Sequence, residues 1–153
     1  MDESQLKALF KGMSAPPSAT HLGARFLSAD PATGKVVIEF TARPEFVNPA
    51  GVIQGGFLTA MLDDTMGPAG AIATRGEYFT TTLDLTVSFL APAKVGKLIG
   101  RGEVVQLGNT IAFLAATLED EEGRIVARAT STARLIKGVF SKAAAAQENG
   151  GGA

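Results

Sequence analysis

Residues 55–73 have the sequence GGFLTAMLDDTMGPAGAIA, which is the one long helical pattern of the chain. Apolar or small side chains recur along it at helical spacing and predict a helix from Gly55 to about Ala73. Pro68 lies inside the pattern and should kink the helix or end it early, because its ring removes a hydrogen bond and crowds the preceding turn. The stripe that we expect to be buried consists of Leu58, Met61, Leu62, Thr65 and Ala69.

A second stripe of the same helix is made almost wholly of small residues and carries one carboxylate, that of Asp63. Small side chains allow another backbone to approach closely, so this face should also be packed. A carboxylate on such a face is paired, catalytic or exposed to a ligand cavity. The members of the stripe are Gly56, Thr59, Ala60, Asp63, Gly67 and Gly70.

Strand patterns lie on both sides of this helix. Before it, a turn at residues 30–34 separates runs at 22–28 and 35–41 and predicts a hairpin, followed by an irregular loop at 42–53. After it, residues 82–89 alternate with a period of two, and further strands are predicted within 97–107, 110–118 and 123–136. Strands segregated from one long helix predict an α+β fold, an antiparallel sheet with the helix on one face. The edge strands of such a sheet stay open and invite pairing with another subunit.

The chain of 153 residues suits a single domain. We assign residues 1–140 to that domain, including a short amphipathic helix at 3–13, and expect the low-complexity segment 141–153 to be a disordered tail. The N-terminus has no basic region followed by a long apolar run, and no uncharged run is continuous enough for a membrane span. We therefore expect a cytoplasmic protein without membrane insertion.

Composition excludes several classes of function. Fourteen basic and fifteen acidic residues give a net charge of −1, which does not favour nucleic acid as a partner. The absence of cysteine excludes a thiol nucleophile and cysteine-ligated metals. The single histidine, His21, excludes a multi-histidine metal site in one chain and disfavours a Ser-His-Asp triad. We expect no metal, and we interpret His21 as a structural residue at the start of the first strand.

The start of the long helix carries the chemistry that the residues alone suggest. Gly55 and Gly56 leave backbone N–H groups bare at the positive end of the helix dipole. Such a position stabilises an anion or an oxygen that acquires negative charge. A plain loop-to-helix joint with a solvated aspartate at position 63 is the alternative that the pattern leaves open.

The segment from Asn48 to Asp64 resembles the hotdog-fold acyl-CoA thioesterases of the phenylacetic-acid-pathway and thioesterase-superfamily-member-2 type. In those proteins a loop Asn precedes a His-Gly-Gly that starts the central helix, and an Asp or Glu follows at a fixed distance. Here Gln54 takes the place of the His, and Asp63 lies nine residues after it. The strand that ends in a Pro-Ala pair near residue 93 is similar too, and the likeness covers about residues 20–136.

The turn Gly108-Asn109-Thr110 also resembles a family feature, a turn of Gly, a basic residue and Thr. Asn109 replaces the usual Lys or Arg, which removes one expected phosphate contact. The resemblance assigns substrate binding to this turn and to two residues near the helix and the following strand. The full set is Gly56, Thr81, Gly108, Asn109 and Thr110.

The resemblance implies a hotdog fold, in which the antiparallel sheet wraps around the long helix, and hydrolysis of acyl-CoA thioesters. It places the active site at a dimer interface, where the helix of one subunit faces strand residues of the other, in a homodimer or homotetramer. Coenzyme A enters as part of the substrate, and no separate cofactor is expected.

The resemblance also implies roles for single residues. The Gly55 N–H would polarise the thioester carbonyl, and Asp63 would act as a general base toward water or as a nucleophile that forms a mixed anhydride. Asn48 would position the thioester or the water. Gln54 would hydrogen-bond the thioester or the loop, and Thr82, or its neighbour Thr81, would supply a strand hydroxyl that orients water. Asp64 is assigned a surface or structural role.

Two other functions stay open. A non-catalytic acyl-CoA binder is one, with Gln54 as the mark of lost activity. An acyl thioester dehydratase or hydratase is the other, but those relatives use a catalytic His beside an acid, and His21 lies outside the helix motif. Five phenylalanines are expected either in the core or as lining of an acyl pocket, namely Phe46, Phe57, Phe79, Phe89 and Phe113.

Overall fold

Apart from one additional short helix at Pro17–His21, the helices and strands follow the predicted order. The computed structural model describes residue 1, residues 3–10 and 14–140, and residue 142. Its helices are α1 (Glu3–Leu9), α2 (Pro17–His21) and α3 (Gly55–Ala73). Its strands are β1 (Arg25–Asp30), β2 (Lys35–Ala42), β3 (Tyr78–Phe89), β4 (Gly96–Leu107), β5 (Ile111–Glu119) and β6 (Ile125–Lys137).

The six strands form one sheet in the order β1-β2-β4-β5-β6-β3, and every neighbouring pair is antiparallel. Helix α3 packs on one face of this sheet. The predicted α+β architecture is therefore confirmed, including the β1–β2 hairpin.

The buried stripe of α3 is the one that the sequence predicts, since all five of its side chains lie in the core. Strand β4 approaches this stripe closely because it carries glycines opposite Thr65. A Cβ atom on Gly102 would lie only 2.7 Å from the Thr65 carbonyl oxygen. The sequence predicts that Pro68 kinks the helix or ends it early. The helix does not end there but continues to Ala73. Buried Met66 and Ile72 on either side of the proline hold it against the sheet.

Several boundaries before α3 differ from the prediction. Residues 17–21 form the helix α2, which has Pro17 in its first turn, where a missing N–H costs nothing. Strand β1 consequently begins at Arg25, not at residue 22, and His21 ends a helix instead of starting a strand. The loop at 42–53 contains a 3₁₀ turn at Pro44–Phe46 and an isolated bridge between Val47 and Ile53.

Two predictions lie partly outside the described residues. The N-terminal helix ends at Leu9, and residues 11–13 of the predicted span are not described. The expected disordered tail is likewise not described, apart from residue 142. In the described ranges, no helix combines the length and the apolar character needed to cross a membrane.

Candidate active site

Gln54 caps the N-terminus of α3. Its backbone is extended, and its side-chain Oε1 accepts a hydrogen bond of 2.6 Å from the Gly56 N–H. This is the bond by which an N-cap residue satisfies one of the free donors of a first helical turn. The Gln54 amide oxygen therefore serves the helix itself, which leaves its NH₂ group to face solvent or a ligand.

The Gly55 N–H differs from that of Gly56 because it makes no hydrogen bond in the described part of the chain. The Phe89 ring packs beside this residue, and a Cβ atom at position 55 would lie 3.0 Å from the ring carbon Cζ. Glycine at position 55 lets the Phe89 ring approach the backbone closely. The result is an uncommitted donor at the positive end of a helix, with an aromatic ring beside it.

Asp63 lies beside a hydroxyl of the adjacent strand β3. Thr82 Oγ1 donates a hydrogen bond of 2.8 Å to Asp63 Oδ1, and Asp63 is half-buried. One turn further along, Thr80 Oγ1 donates to the Gly67 carbonyl oxygen at 3.0 Å. The small-residue stripe of α3 is therefore the face on which β3 packs.

The phase of β3 decides which threonine reaches Asp63. The regular alternation expected over residues 82–89 would place Thr82 on the same face as Asp84. A β-bulge between these two residues interrupts it. Leu83 is 58% exposed as a result, while Leu85 packs toward the core beneath α3. Both threonines are exposed, but the phase of the strand at the bulge directs Thr82 toward α3, so of the two candidate hydroxyls the structure brings Thr82 to Asp63.

Asp64, to which the sequence assigned a surface or structural role, is half-buried. Burial, and secondarily the charge of Asp63, raise the pKa of Asp64 to about 6. In the described residues this carboxyl has no hydrogen-bond or ion-pair partner. It points about 100° away from Asp63 around the helix, which places it away from β3.

Asn48 closes the loop before α3. Its Oδ1 accepts hydrogen bonds from the N–H groups of Ala50 at 2.9 Å and Val52 at 3.4 Å, an Asx-type turn. Its own N–H donates to the Val52 carbonyl oxygen at 2.8 Å. Any contact of Asn48 with a thioester or a water would have to come from its side-chain NH₂ group.

The turn Gly108-Asn109-Thr110 connects β4 to β5 and is exposed. The Gly108 N–H donates to the Ile111 carbonyl oxygen at 2.9 Å, which closes the hairpin. Within one described chain, none of these three residues makes a hydrogen bond to Asp63, Thr82 or Gly55. The structure therefore gives them a hairpin position and no contact with the Asp63–Thr82 pair.

Sequence reasoning missed one group in the loop before α3, the guanidinium of Arg43. It lies 4.9 Å from the ring centroid of Phe46, and its Nη2 donates to the His21 carbonyl oxygen at 2.6 Å. A single arginine in a proline-containing loop gives no periodic signal that could have identified it. Among the described residues no three His, Asp or Glu side chains are close enough to hold a metal ion.

Comparison with known proteins identifies the family. A family model described as the thioesterase superfamily matches residues 50–127, from the loop before α3 into β6. The chain belongs to the thioesterase superfamily. The resemblance found in the sequence is thereby confirmed, and the enzyme class is that of a thioester hydrolase.

Particular relatives agree with this class. Human acyl-coenzyme A thioesterase 13 is 26% identical over 132 residues, which cover 85% of this chain and 94% of the human protein. A solved phenylacetic acid degradation-related protein from Ralstonia eutropha JMP134 is 32% identical with a TM-score of 0.76, covering 85% of this chain and 98% of its own. A Streptococcus mutans protein solved with bound acetyl CoA shares the fold, with 22% identity and a TM-score of 0.66 over 74% of this chain and 89% of its own. The hotdog fold is confirmed by these neighbours.

Proposed function

We propose that this protein hydrolyses acyl-CoA thioesters to the free acid and coenzyme A. The observation that carries the proposal is the Asp63–Thr82 pair, in which a hydroxyl of β3 holds a carboxylate of α3. The first N–H of the same helix, that of Gly55, makes no hydrogen bond in the described chain. A carboxylate and a pre-oriented N–H donor are the two groups that acyl transfer to water needs. The name of the human relative and the acetyl CoA bound to the Streptococcus mutans protein support coenzyme A as the carrier.

The spacing of these groups supports a site shared by two copies of the chain. Gly55 and Asp63 are eight residues apart, which is about 12 Å along an α-helix. A carbonyl that accepts from the Gly55 N–H lies about 3 Å from that nitrogen, beyond the reach of Asp63 on the same helix. A second copy would bring its own Asp63 to the first copy's Gly55.

The open edge of β3 supports the same assembly. In the described chain β3 pairs on one side with β6, and its other edge has no partner strand. Leu83 and Phe89 on this strand are more than half exposed. We propose a homodimer joined along β3, with a homotetramer as the further prediction. Light scattering should find no active monomer at micromolar concentration, and an active monomer would contradict the shared site.

In the proposed reaction the Gly55 N–H stabilises the negative charge that develops on the thioester oxygen. Asp63 either removes a proton from the attacking water or attacks the carbonyl carbon itself, which expels the coenzyme A thiolate and leaves a mixed anhydride for water to cleave. Thr82 holds one carboxylate oxygen, which leaves Oδ2 to act. A single turnover in ¹⁸O-water separates the two routes, because only the anhydride route can place the label in the Asp63 side chain.

The experiment that tests the function is a thiol-release assay over short-chain, medium-chain, long-chain and aryl acyl-CoAs. Hydrolysis of at least one class is expected. Retention of acyl-CoA without thiol release would instead favour a non-catalytic binder. The argument for such a binder is that Gln54 stands where the related thioesterases have His. A dehydratase has less support, because His21 is bonded to Arg43 at the end of α2 and not to Asp63. The cytoplasmic location and the absence of a separate cofactor stay predictions.

A further inference from the structure

We propose that Phe46 is the positioning residue for the Gly55 N–H, and that Arg43 holds Phe46 in place. The proposal rests on the function proposed above, since it assigns to Gly55 the task of polarising a thioester. Phe46 is itself 1% exposed, so its ring lies in the core and has almost no contact with solvent.

Phe46 holds the start of α3 at two points, one on each side of Gly55 and Gly56. Its carbonyl oxygen accepts a hydrogen bond of 2.8 Å from the Gln54 N–H, which fixes the residue before the two glycines. Its ring stacks on that of Phe57 at a centroid distance of 4.1 Å and an interplanar angle of 17°, which fixes the residue after them. Two adjacent glycines have no side chains of their own to set their orientation. The direction of the Gly55 N–H is therefore set by its neighbours.

Arg43 connects the stacked rings of Phe46 and Phe57 to helix α2. Its guanidinium lies 4.9 Å from the Phe46 ring centroid, within the range of a cation–π interaction. Its Nη2 donates to the His21 carbonyl oxygen at 2.6 Å and lies 3.1 Å from His21 Nδ1, which ties the loop to the end of α2. The Arg43 Nε atom is buried without a partner, so this half-buried side chain is retained at a cost. A side chain with only a solubilising role would be expected to extend its guanidinium into solvent.

The orientation of this N–H matters because a donor that stabilises transition-state charge acts only when it is already aimed. Displacement of a reacting group by about 1 Å can reduce a rate about a hundredfold. The binding of substrate depends on many other contacts, so a misaimed N–H should lower kcat and leave KM nearly unchanged.

The test compares Phe46→Leu with Phe40→Leu. Phe40 is also fully buried, on β2, and does not stack on Phe57, so the two changes remove the same volume from the same core. The hydrogen bond to Gln54 comes from the Phe46 backbone and is kept in Phe46→Leu, so this variant removes the ring stack on Phe57 and the contact with Arg43. Well below the melting temperature of both variants, Phe46→Leu should lower kcat about tenfold to a hundredfold at unchanged KM. Phe40→Leu should keep the wild-type kcat. An unchanged kcat in folded Phe46→Leu, or an equal loss in both variants, would overturn the proposal.

A second measurement does not depend on thioesterase activity. In amide nuclear magnetic resonance spectra of the full chain, Phe46→Leu should shift the Gly55 and Gly56 resonances and speed hydrogen exchange at the capped Gly56 N–H, whereas Phe40→Leu should leave both resonances in place. If the wild-type protein cleaves no acyl-CoA, the proposed function fails, and these resonances still decide whether Phe46 positions the helix start. Unmoved resonances in Phe46→Leu would overturn the positioning role whatever the activity.

Variants of Arg43 serve if Phe46→Leu does not fold. Arg43→Met keeps the apolar stem and removes both the cation and the bond to His21, and it should lower kcat about threefold to tenfold, with the same Gly55 shift in a weaker form. Arg43→Lys keeps a cation for the ring and should recover part of that kcat. Equal kcat in wild type and Arg43→Met would remove Arg43 from the proposal.

Discussion

The two ends of α3 differ in what becomes of their free backbone groups. At the C-terminal end Thr74 Oγ1 donates to the carbonyl oxygens of Gly70 at 3.0 Å and Ala71 at 3.1 Å, and Ile72 is fully buried. At the N-terminal end the Gly55 N–H has no acceptor in the described chain, and Gly56 is exposed. A satisfied helix end contributes stability, whereas an unsatisfied one keeps hydrogen-bonding capacity for a ligand. We predict from this contrast that the C-terminal end of α3 is the anchored end, where substitutions affect stability, and that substitutions at the N-terminal end affect chemistry.

The largest expected effect is on Asp63, between the two ends. Asp63→Asn removes the negative charge that either proposed role requires and should lower kcat by about a thousandfold or more while the fold is kept. Thiol release measures the rate, and circular dichroism checks the fold. Asp64→Asn is the matched control and should keep most of the activity. Wild-type rates in Asp63→Asn would end its assignment as the reacting carboxylate.

At the anchored end a core truncation should affect stability and not chemistry. Ile72→Ala leaves a cavity where a fully buried side chain packs with Leu6 and Val36, and should lower the free energy of unfolding by about 2–5 kcal/mol. Denaturant unfolding measures this loss, and kcat at a temperature where the variant stays folded should be unchanged. A large fall in kcat under those conditions would mean that the two ends are not separable.

Thr82 and Thr81 offer a sharper comparison within one strand. Thr82→Val removes the hydroxyl that holds Asp63 and should lower kcat about tenfold, because the carboxylate loses its fixed orientation. Thr81→Val changes an exposed hydroxyl on the other face and should leave kcat within about twofold, the scale of an ordinary surface substitution. The reverse order of effects would show that the bulge at Leu83 is not kept in the active protein.

Asp64 should reduce stability at neutral pH. Its pKa is raised from 3.8 to about 6, so the folded protein binds its proton more tightly than the unfolded chain does. Its contribution to the free energy of unfolding therefore falls as pH rises from about 4 to 6, and the full penalty remains above pH 6.

Asp64→Asn should then raise the melting temperature by about 2–4 °C at pH 8, allowing for solvent screening of a half-buried group. At pH 4 the variant and the wild type should melt together. A gain at pH 4 as large as that at pH 8 would assign the effect to packing instead of charge.

The smallest effect is expected at Gln54. Gln54→His replaces the oxygen that caps the Gly56 N–H with an imidazole nitrogen that accepts while it is neutral. The rate near pH 8 should stay within about threefold, and a new ionisation should appear between about pH 5 and 8, because a protonated ring cannot cap the helix. A pH–rate profile measures both. A rise of orders of magnitude would show that the amide is a poor substitute for His.

Much of this molecule could be predicted locally. The five buried side chains of α3 follow from a period of 3.6, and the hairpin of β1 and β2 follows from its turn residues. The helix α2 was missed because its five residues are too few for a periodic signal. Helix α3 does not end early at Pro68, because its packing on the sheet stabilises it by more than the loss of one backbone hydrogen bond costs.

Local patterns in the sequence were enough to predict the strands, the helix α3, the glycine pair that leaves a donor at its start, and the carboxylate nine residues beyond Gln54. They could not show which hydroxyl Asp63 contacts, or which residues we propose to aim the Gly55 N–H. The first depends on a bulge at Leu83, which reverses the phase of β3 and exists only through pairing with β6. The second depends on Phe46, eight residues before Gln54, and on Arg43 beside it. Periodicity encodes which face of an element is buried, but contacts between distant segments arise only when the whole sheet has formed.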